Sequence, residues 1–278
     1  MQEVSESRAG SMGKNLPPGS RRVARITLYY LASVLAIYYF IMVSVPPVLF
    51  VRNLNNIYAT DSTDKDDLPA AIASDSLYLD LSRELSFTMA RIRMASSDSI
   101  CLSVDIPDST LSLEIRGVTV RSVKMQRISV AGSMRGVRDH VWHEFLGAPL
   151  SIESSVASIP REPIMLKIAP RDTAEASSMP DIRPDTTNTA PVTFSLRLEN
   201  GIRLTVIEDV AGKRRGMVVI RRFLFRRSID YMWVAVKHVA LFRFPPYEPE
   251  IRLVVPGNDA RTIYRALPVN GSVALRIR

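Results

Sequence analysis

"ICLSVDIPDSTLSLEIRGVTVRSVKMQRISV", residues 100 to 130, decides the fold class. Cys101 and Ser103 alternate with Leu102 and Val104, "PDST" forms a turn, and Leu111, Leu113 and Ile115 alternate again before Gly117. A period of two sends successive side chains to opposite faces of a sheet, so at least three consecutive strands are expected here. Immediately upstream the period changes. In "SDSLYLDLSRELSFTMARIRM", Leu77, Leu81, Leu85, Met89 and Ile92 recur at helical spacing, with Ser74 or Ser76 available as the N-cap. That pattern predicts an amphipathic helix over 76–94 whose apolar stripe packs on the core.

Downstream, "MRGVRDHVWHEFLGAPL" suggests a short helix. Residues 170–191 hold four prolines and no aromatic residue, the composition of a flexible insertion. The order then resumes with "VTFSLRLENGIRLTVIED", where Asn200-Gly201 between alternating runs marks a hairpin. "MVVIRRFLFRR" is rich in β-branched and aromatic residues and is expected to be a strand. "SIDYMWVAVKHVALFRF" is expected to be a helix that Pro245 and Pro246 stop. The C-terminus reads as strand (251–255), turn at Pro256-Gly257, short helix (259–267) and strand (272–277). The fold class expected is therefore α+β and β-rich, a mixed or antiparallel β domain with a few helices.

Between Ile26 and Val51 there are 26 consecutive residues without a charge, and the first 20 also lack Pro and Gly. About 20 helical residues cross about 30 Å of hydrocarbon, whereas a cleaved signal has an apolar core of only about 7 to 15. The run is read as a transmembrane helix over 25–51, preceded by a disordered tail (1–24) and followed by a stalk (52–75) and a folded domain (76–278). Arg8, Lys14, Arg21, Arg22 and Arg25 precede the span, while Asp61, Asp64, Asp66 and Asp67 follow it. By the positive-inside rule the N-terminus is cytoplasmic and the domain exported, which in a bacterium means single-pass in the inner membrane with a periplasmic domain. Tyr38 and Tyr39, in mid-span, are read as lipid-facing.

The net charge of +8 is spread along the chain: five basic and two acidic residues up to Arg25, none in the span, and 31 basic against 26 acidic beyond it. A basic exported domain suits an anionic surface such as lipid headgroups or cell wall, and its compartment argues against nucleic acid. A single cysteine excludes an internal disulfide and a Cys-based metal cage. No P-loop, dinucleotide fingerprint or Ca loop occurs, and no cofactor is expected.

"SVDIPDSTLSLEIRGVTV" resembles the first hairpin of the L,D-transpeptidases of the YkuD type, which cross-link the bacterial cell wall. The likeness extends to the C-terminus, where Ile251-Arg252-Leu253, Asp259-Ala260, Tyr264, Gly271, Val273 and Ile277 match the family's closing "IRL…DA…Y…G.V…I" pattern. It covers residues 99–131 and 247–277. At the position of the family's nucleophilic cysteine stands Glu250, preceded by Pro249, with Tyr247 and Glu248 in the family's Ser/His region. Acyl transfer by that route needs a thiolate activated by a neighbouring base, so the resemblance implies a transpeptidase-like scaffold without the catalysis.

No replacement nucleophile is evident. Cys101, flanked by Ile100 and Leu102, has the setting of a buried structural thiol. His140 and His143 do not have zinc-hydrolase spacing, and His238 lies in an apolar run without a Ser or Cys partner. The basic run Lys213, Arg214, Arg215, Arg221, Arg222, Arg226 and Arg227, if a hairpin, places Arg222 and Arg226 on one face, and arginines are suited to bidentate contact with carboxylates. The reading is a non-catalytic, membrane-anchored envelope protein that binds or scaffolds at the peptidoglycan, with Arg252, Glu250, Tyr247, Arg221, Arg222 and Arg226 as candidate binding residues. Two other classes stay open: an interaction module of a division or secretion complex that contacts an envelope protein, and an enzyme using Glu248 and Glu250 as a carboxylate pair.

Overall fold

The computed structural model describes residues 18–61, 75–161, 190–210, 212 and 214–277; the expected insertion lies almost wholly outside them. Five helices and nine strands are present among the described residues: α1 (Pro18–Asp61), α2 (Ser76–Ala95), β1 (Ile100–Asp105), β2 (Thr110–Ile115), β3 (Val118–Lys124), β4 (Arg127–Val130), α3 (Asp139–Phe145), β5 (Leu150–Ala157), β6 (Thr193–Leu198), β7 (Arg203–Glu208), α4 (Arg214–Ala240), β8 (Glu250–Val255), α5 (Asp259–Ala266) and β9 (Ser272–Arg276). A 3-10 turn at Gly132–Gly136 precedes α3. The strands form one mixed sheet in the order β3-β2-β1-β9-β5-β6-β7-β8-β4. Only β1–β9 and β7–β8 run parallel. β5 joins the halves, pairing with β9 at Leu150 and Ser151 and with β6 beyond a register shift at Ile152/Ser154.

The alternating stretch forms four strands, β1 to β4. Arg116 and Gly117 both take positive φ (51° and 80°), the conformation of a two-residue hairpin turn whose twist matches its strands. Asn200-Gly201 likewise closes the β6–β7 hairpin, with Gly201 at φ 79° and Asn200 Oδ1 accepting from Ile202 N. The main core gathers one sheet face with α3, α5 and the end of α1; Leu102, Val104, Leu111, Trp142, Phe194 and Ile263 are among its buried members. α2 covers the other face over β1 and β9, where Phe87, Ala90, Met94, Cys101 and Ala274 form a second cluster. Burial pushes the Cys101 thiol pKa up, as expected of a structural cysteine.

Four expectations are corrected. First, α1 is longer than 25–51: it is helical from Pro18 to Asp61 and runs through Pro46 and Pro47, so the start of the supposed stalk belongs to it. Its last turns pack on the domain: Leu54 is buried in the main core, and Asn55 bonds Gly136 O and Arg138 N. Second, Tyr38 is half-buried against α4, not exposed to lipid on all sides.

Third, α2 turns its larger apolar stripe outward. Leu77, Leu81, Leu85, Met89 and Ile92 are all exposed, while Ser86, Phe87, Ala90 and Met94 face the sheet. The small Ser86 and Ala90 let the helix lie close to β9, and polar ties set its rotation: Arg83 with Asp139, Ser86 with His143 and Arg91 with Glu114. Fourth, "MVVIRRFLFRR" is helix, the first half of α4. Ile220, Leu224, Arg227, Tyr231, Ala235 and Val239 recur every three or four residues on its inward side, a helical period that outweighs β-branched content over so short a run. Gly216 lets this helix start against Val210, which a Cβ would meet at 2.3 Å.

Candidate functional site

The parallel β7–β8 ladder sets Arg203 opposite Glu250 and Thr205 opposite Arg252. α4 crosses above, leaving a cleft of about 290 Å³ lined by Arg203, Arg227, Tyr231, Tyr247, Glu248, Glu250 and Arg252 among others. Glu250 is held from two sides: Thr205 Oγ1 donates to Oε1 at 2.8 Å, and Arg252 Nε and Nη2 donate to Oε2 at 2.8 and 2.6 Å. Glu248, just before β8, pairs with Arg203 and with Arg197 (3.2 Å). Arg203 also lies 6.0 Å from the Tyr231 ring centre, and Tyr247 is bonded to Ser133.

The two ends of the cleft differ in charge balance. Arg203 and Arg252 each have a carboxylate; Arg227, reaching down from α4, is in no ion pair among the described residues, and its Nε, like that of Arg203, is buried without a hydrogen-bond partner. Burial, and then repulsion from Arg203, pull the Arg227 pKa down from its usual value, against the attraction of Glu248, Glu250 and Asp230. Three arginines facing two glutamates leave one positive charge in excess, a setting that favours an anionic guest. Burial acts to raise the Glu250 pKa, but the hydrogen bonds from Arg252 and Thr205 outweigh it and hold the carboxyl below its ordinary value. General-base work near neutral pH calls for the opposite shift, so this carboxylate is arranged as a fixed anion.

The six residues singled out in the sequence divide in three. Tyr247, Glu250 and Arg252 line the cleft. Arg221 and Arg222 line an adjoining, shallower groove of about 690 Å³, which shares Leu224, Ser228 and Arg252 with the cleft. Arg226 is exposed one helical turn from Arg222 and lines neither. The hairpin geometry assumed for these arginines is replaced by one helix, on which Arg222 and Arg226, four residues apart, are surface neighbours and Arg221 is turned about 100° from Arg222. Glu248 and Glu250 do share the cleft, but each is engaged by its own arginines.

Sequence reasoning passed over Arg203, Thr205 and Tyr231. Arg203 and Thr205 meet β8 only through a parallel pairing that spans the whole of α4; no local pattern carries that signal. The histidines do not converge: His143 bonds Ser86, His140 is exposed, and His238 Nδ1 lies 2.8 Å from Val234 O. Among the described residues no group of three or more His, Cys, Asp or Glu is placed to hold a metal ion. Comparison with protein-family models, curated proteins and solved structures finds no match to this chain. α1 is long and apolar enough to cross a membrane.

Proposed function

We propose that this is a single-pass inner-membrane protein whose periplasmic domain binds the cell wall without catalysis, taking a carboxylate of a peptidoglycan stem peptide in the α4–β8 cleft. The observation that carries it is Arg227, without an ion-pair partner among the described residues, beside the carboxylate-paired Arg203 and Arg252, an arginine cluster with one cation in excess. Planar guanidinium groups are suited to bidentate carboxylate recognition. The contacts of Leu54 and Asn55 with the domain support an anchor that stays attached to it. The likeness to transpeptidases fits a retained substrate groove in which Glu250 stands in place of the thiol and orients Arg252.

The test is retention of the full chain, in detergent, on purified cell-wall sacculi at low salt. Binding is expected, weakened by salt and by Arg227→Ala; no retention at low salt overturns the reading. Orientation is checked by a reporter fused after Arg278, which must be active outside the cytoplasm.

A second reading, an interaction module of an envelope complex, is favoured by the outward stripe of α2. Under it, Leu81→Glu with Leu85→Glu abolishes assembly with the partner while wall binding is unchanged.

A further inference from the structure

The geometry points to a second membrane contact: the C-terminal end of α4 and the turn after it, residues 236–244, lie inside the lipid bilayer alongside α1. This rests on the reading of α1 as the membrane span.

The depth follows from the contact with Tyr38. Its hydroxyl donates to Val239 O at 3.1 Å, and its ring lies 5.8 Å from that of Phe242. A span needs about 20 residues, and every 20-residue window that fits between Ile26 and Val51 contains Tyr38. The shallowest placement, ending at Val45, still puts Tyr38 seven residues inside, roughly 10 Å at about 1.5 Å per residue. Whatever touches Tyr38 is at that depth.

The chain around this point is a descending and returning hairpin. α4 comes down to Ala240, the turn is made at Leu241 and Phe242, and an extended segment climbs back to Tyr247, which stacks edge-on against Phe50 at 5.7 Å. The twelve helical residues from Tyr38 to Phe50 rise about 18 Å. The five residues from Phe242 to Tyr247 can reach a similar distance, at no more than about 3.3 Å each, so the return segment is long enough to climb back.

Its surface is made for lipid. Trp233, Val236, Leu241, Phe242 and Phe244 are exposed, Phe242 by 81% and Leu241 by 61%. No acidic residue occurs from Tyr231 to Tyr247. The cations of Lys237 and Arg243 sit on long aliphatic stems able to carry the charge up to the phosphates. In hydrocarbon every backbone carbonyl needs an internal donor. At the end of the helix this holds, since His238 O accepts from Leu241 and Arg243, Lys237 O from Leu241, and Val239 O from both Phe242 and Tyr38, whereas the carbonyls of residues 240–244 have no backbone donor among the described residues. The positive φ of Phe242 (55°), where glycine is the usual residue, keeps this closed turn while placing a large aromatic ring at its outermost point.

Single-cysteine variants of the full chain in phosphatidylcholine/phosphatidylglycerol vesicles test this by spin-label accessibility, with labels at Phe242→Cys, at Phe40→Cys on the exposed side of α1 and at Leu77→Cys on α2. The background is Cys101→Ala or, should that variant not fold, the native buried cysteine. Labels at 242 and 40 are expected to be reached by oxygen and shielded several-fold from a water-soluble nickel chelate relative to 77. A label at 242 as open to nickel as that at 77, with 40 shielded, overturns the inference and leaves the span intact. A label at 242 closed to both reagents also overturns it, because the cover would then be protein. Nickel access at 40 removes the span itself, and this inference with it.

Discussion

The two wings of the sheet contain the same three-group device with opposite outcomes. In the α2 wing, Glu114 accepts from Ser103 Oγ at 2.7 Å and is gripped by Arg91 at 2.9 and 3.1 Å; in the α4 wing, Glu250 accepts from Thr205 and is gripped by Arg252. The difference lies in where the arginine comes from. Arg91 belongs to the covering helix, so its ion pair ties α2 down over Glu114, which is 3% exposed. Arg252 belongs to β8 itself, so among the described residues no ion pair ties α4 to the carboxylate, and the helix's own Arg227 stands without one over an open cleft. One arrangement makes a seal and the other leaves an open, charged cleft.

The sharpest test of that contrast is removal of each carboxylate. Glu114→Ala strands a buried hydroxyl and a partly exposed guanidinium; breaking such a pair costs about 3 kcal/mol, the low end of the buried range because Arg91 is partly exposed. Glu250→Ala at the open cleft is expected to cost about 1 kcal/mol. Thermal unfolding of the detergent-solubilised chain measures both, and equal losses would break the comparison. Next in size is ligand binding: Arg227→Ala removes a charge-assisted contact of about 2 kcal/mol, roughly a thirtyfold loss in sacculus affinity, with unfolding little changed. Arg91→Ala should do the reverse.

Packing gives an effect of comparable size. Ala90, fully buried where α2 meets the sheet, leaves no room for a larger side chain, so Ala90→Leu is expected to cost about 1 to 3 kcal/mol. Met232→Leu on the exposed surface of α4 should stay within about 0.5 kcal/mol. The smallest effect is with pH. Because the folded Glu250 carboxyl is held below its ordinary 4.5, its contribution is fully present above that value and is lost as pH falls through the lower, folded one. Glu250→Gln should flatten the stability curve below about pH 4.5 and lower it near neutrality by the contribution that the ionised carboxyl makes there.

Much of the fold was legible because its signals are local. The period-two run over β1 to β3, the Asn200-Gly201 hairpin, the C-terminal strand-helix-strand and the charge-free helix each announce themselves within about ten to thirty residues. The misreadings share one cause. For α2 two apolar stripes compete, and the bulkier one loses because Arg83, Ser86 and Arg91 bond to groups distant in sequence. For α4, valines and arginines read as a strand until the long inward row from Ile220 to Val239 is seen whole. Half of the cleft was visible, since Tyr247, Glu250 and Arg252 lie together on one short segment; Arg203 and Thr205 were not.

The sequence by itself therefore determined the strands, the hairpin turns, the apolar helix and the cluster of charge near residue 250, all consequences of backbone periodicity and local composition. Only the tertiary structure decided which face of α2 is inside, that α4 is one helix leaning on Tyr38, and that Arg203 and Arg227 meet Glu248 and Glu250. Those outcomes depend on parallel pairing and on hydrogen bonds between residues dozens of positions apart, where no repeat in the chain records the partner.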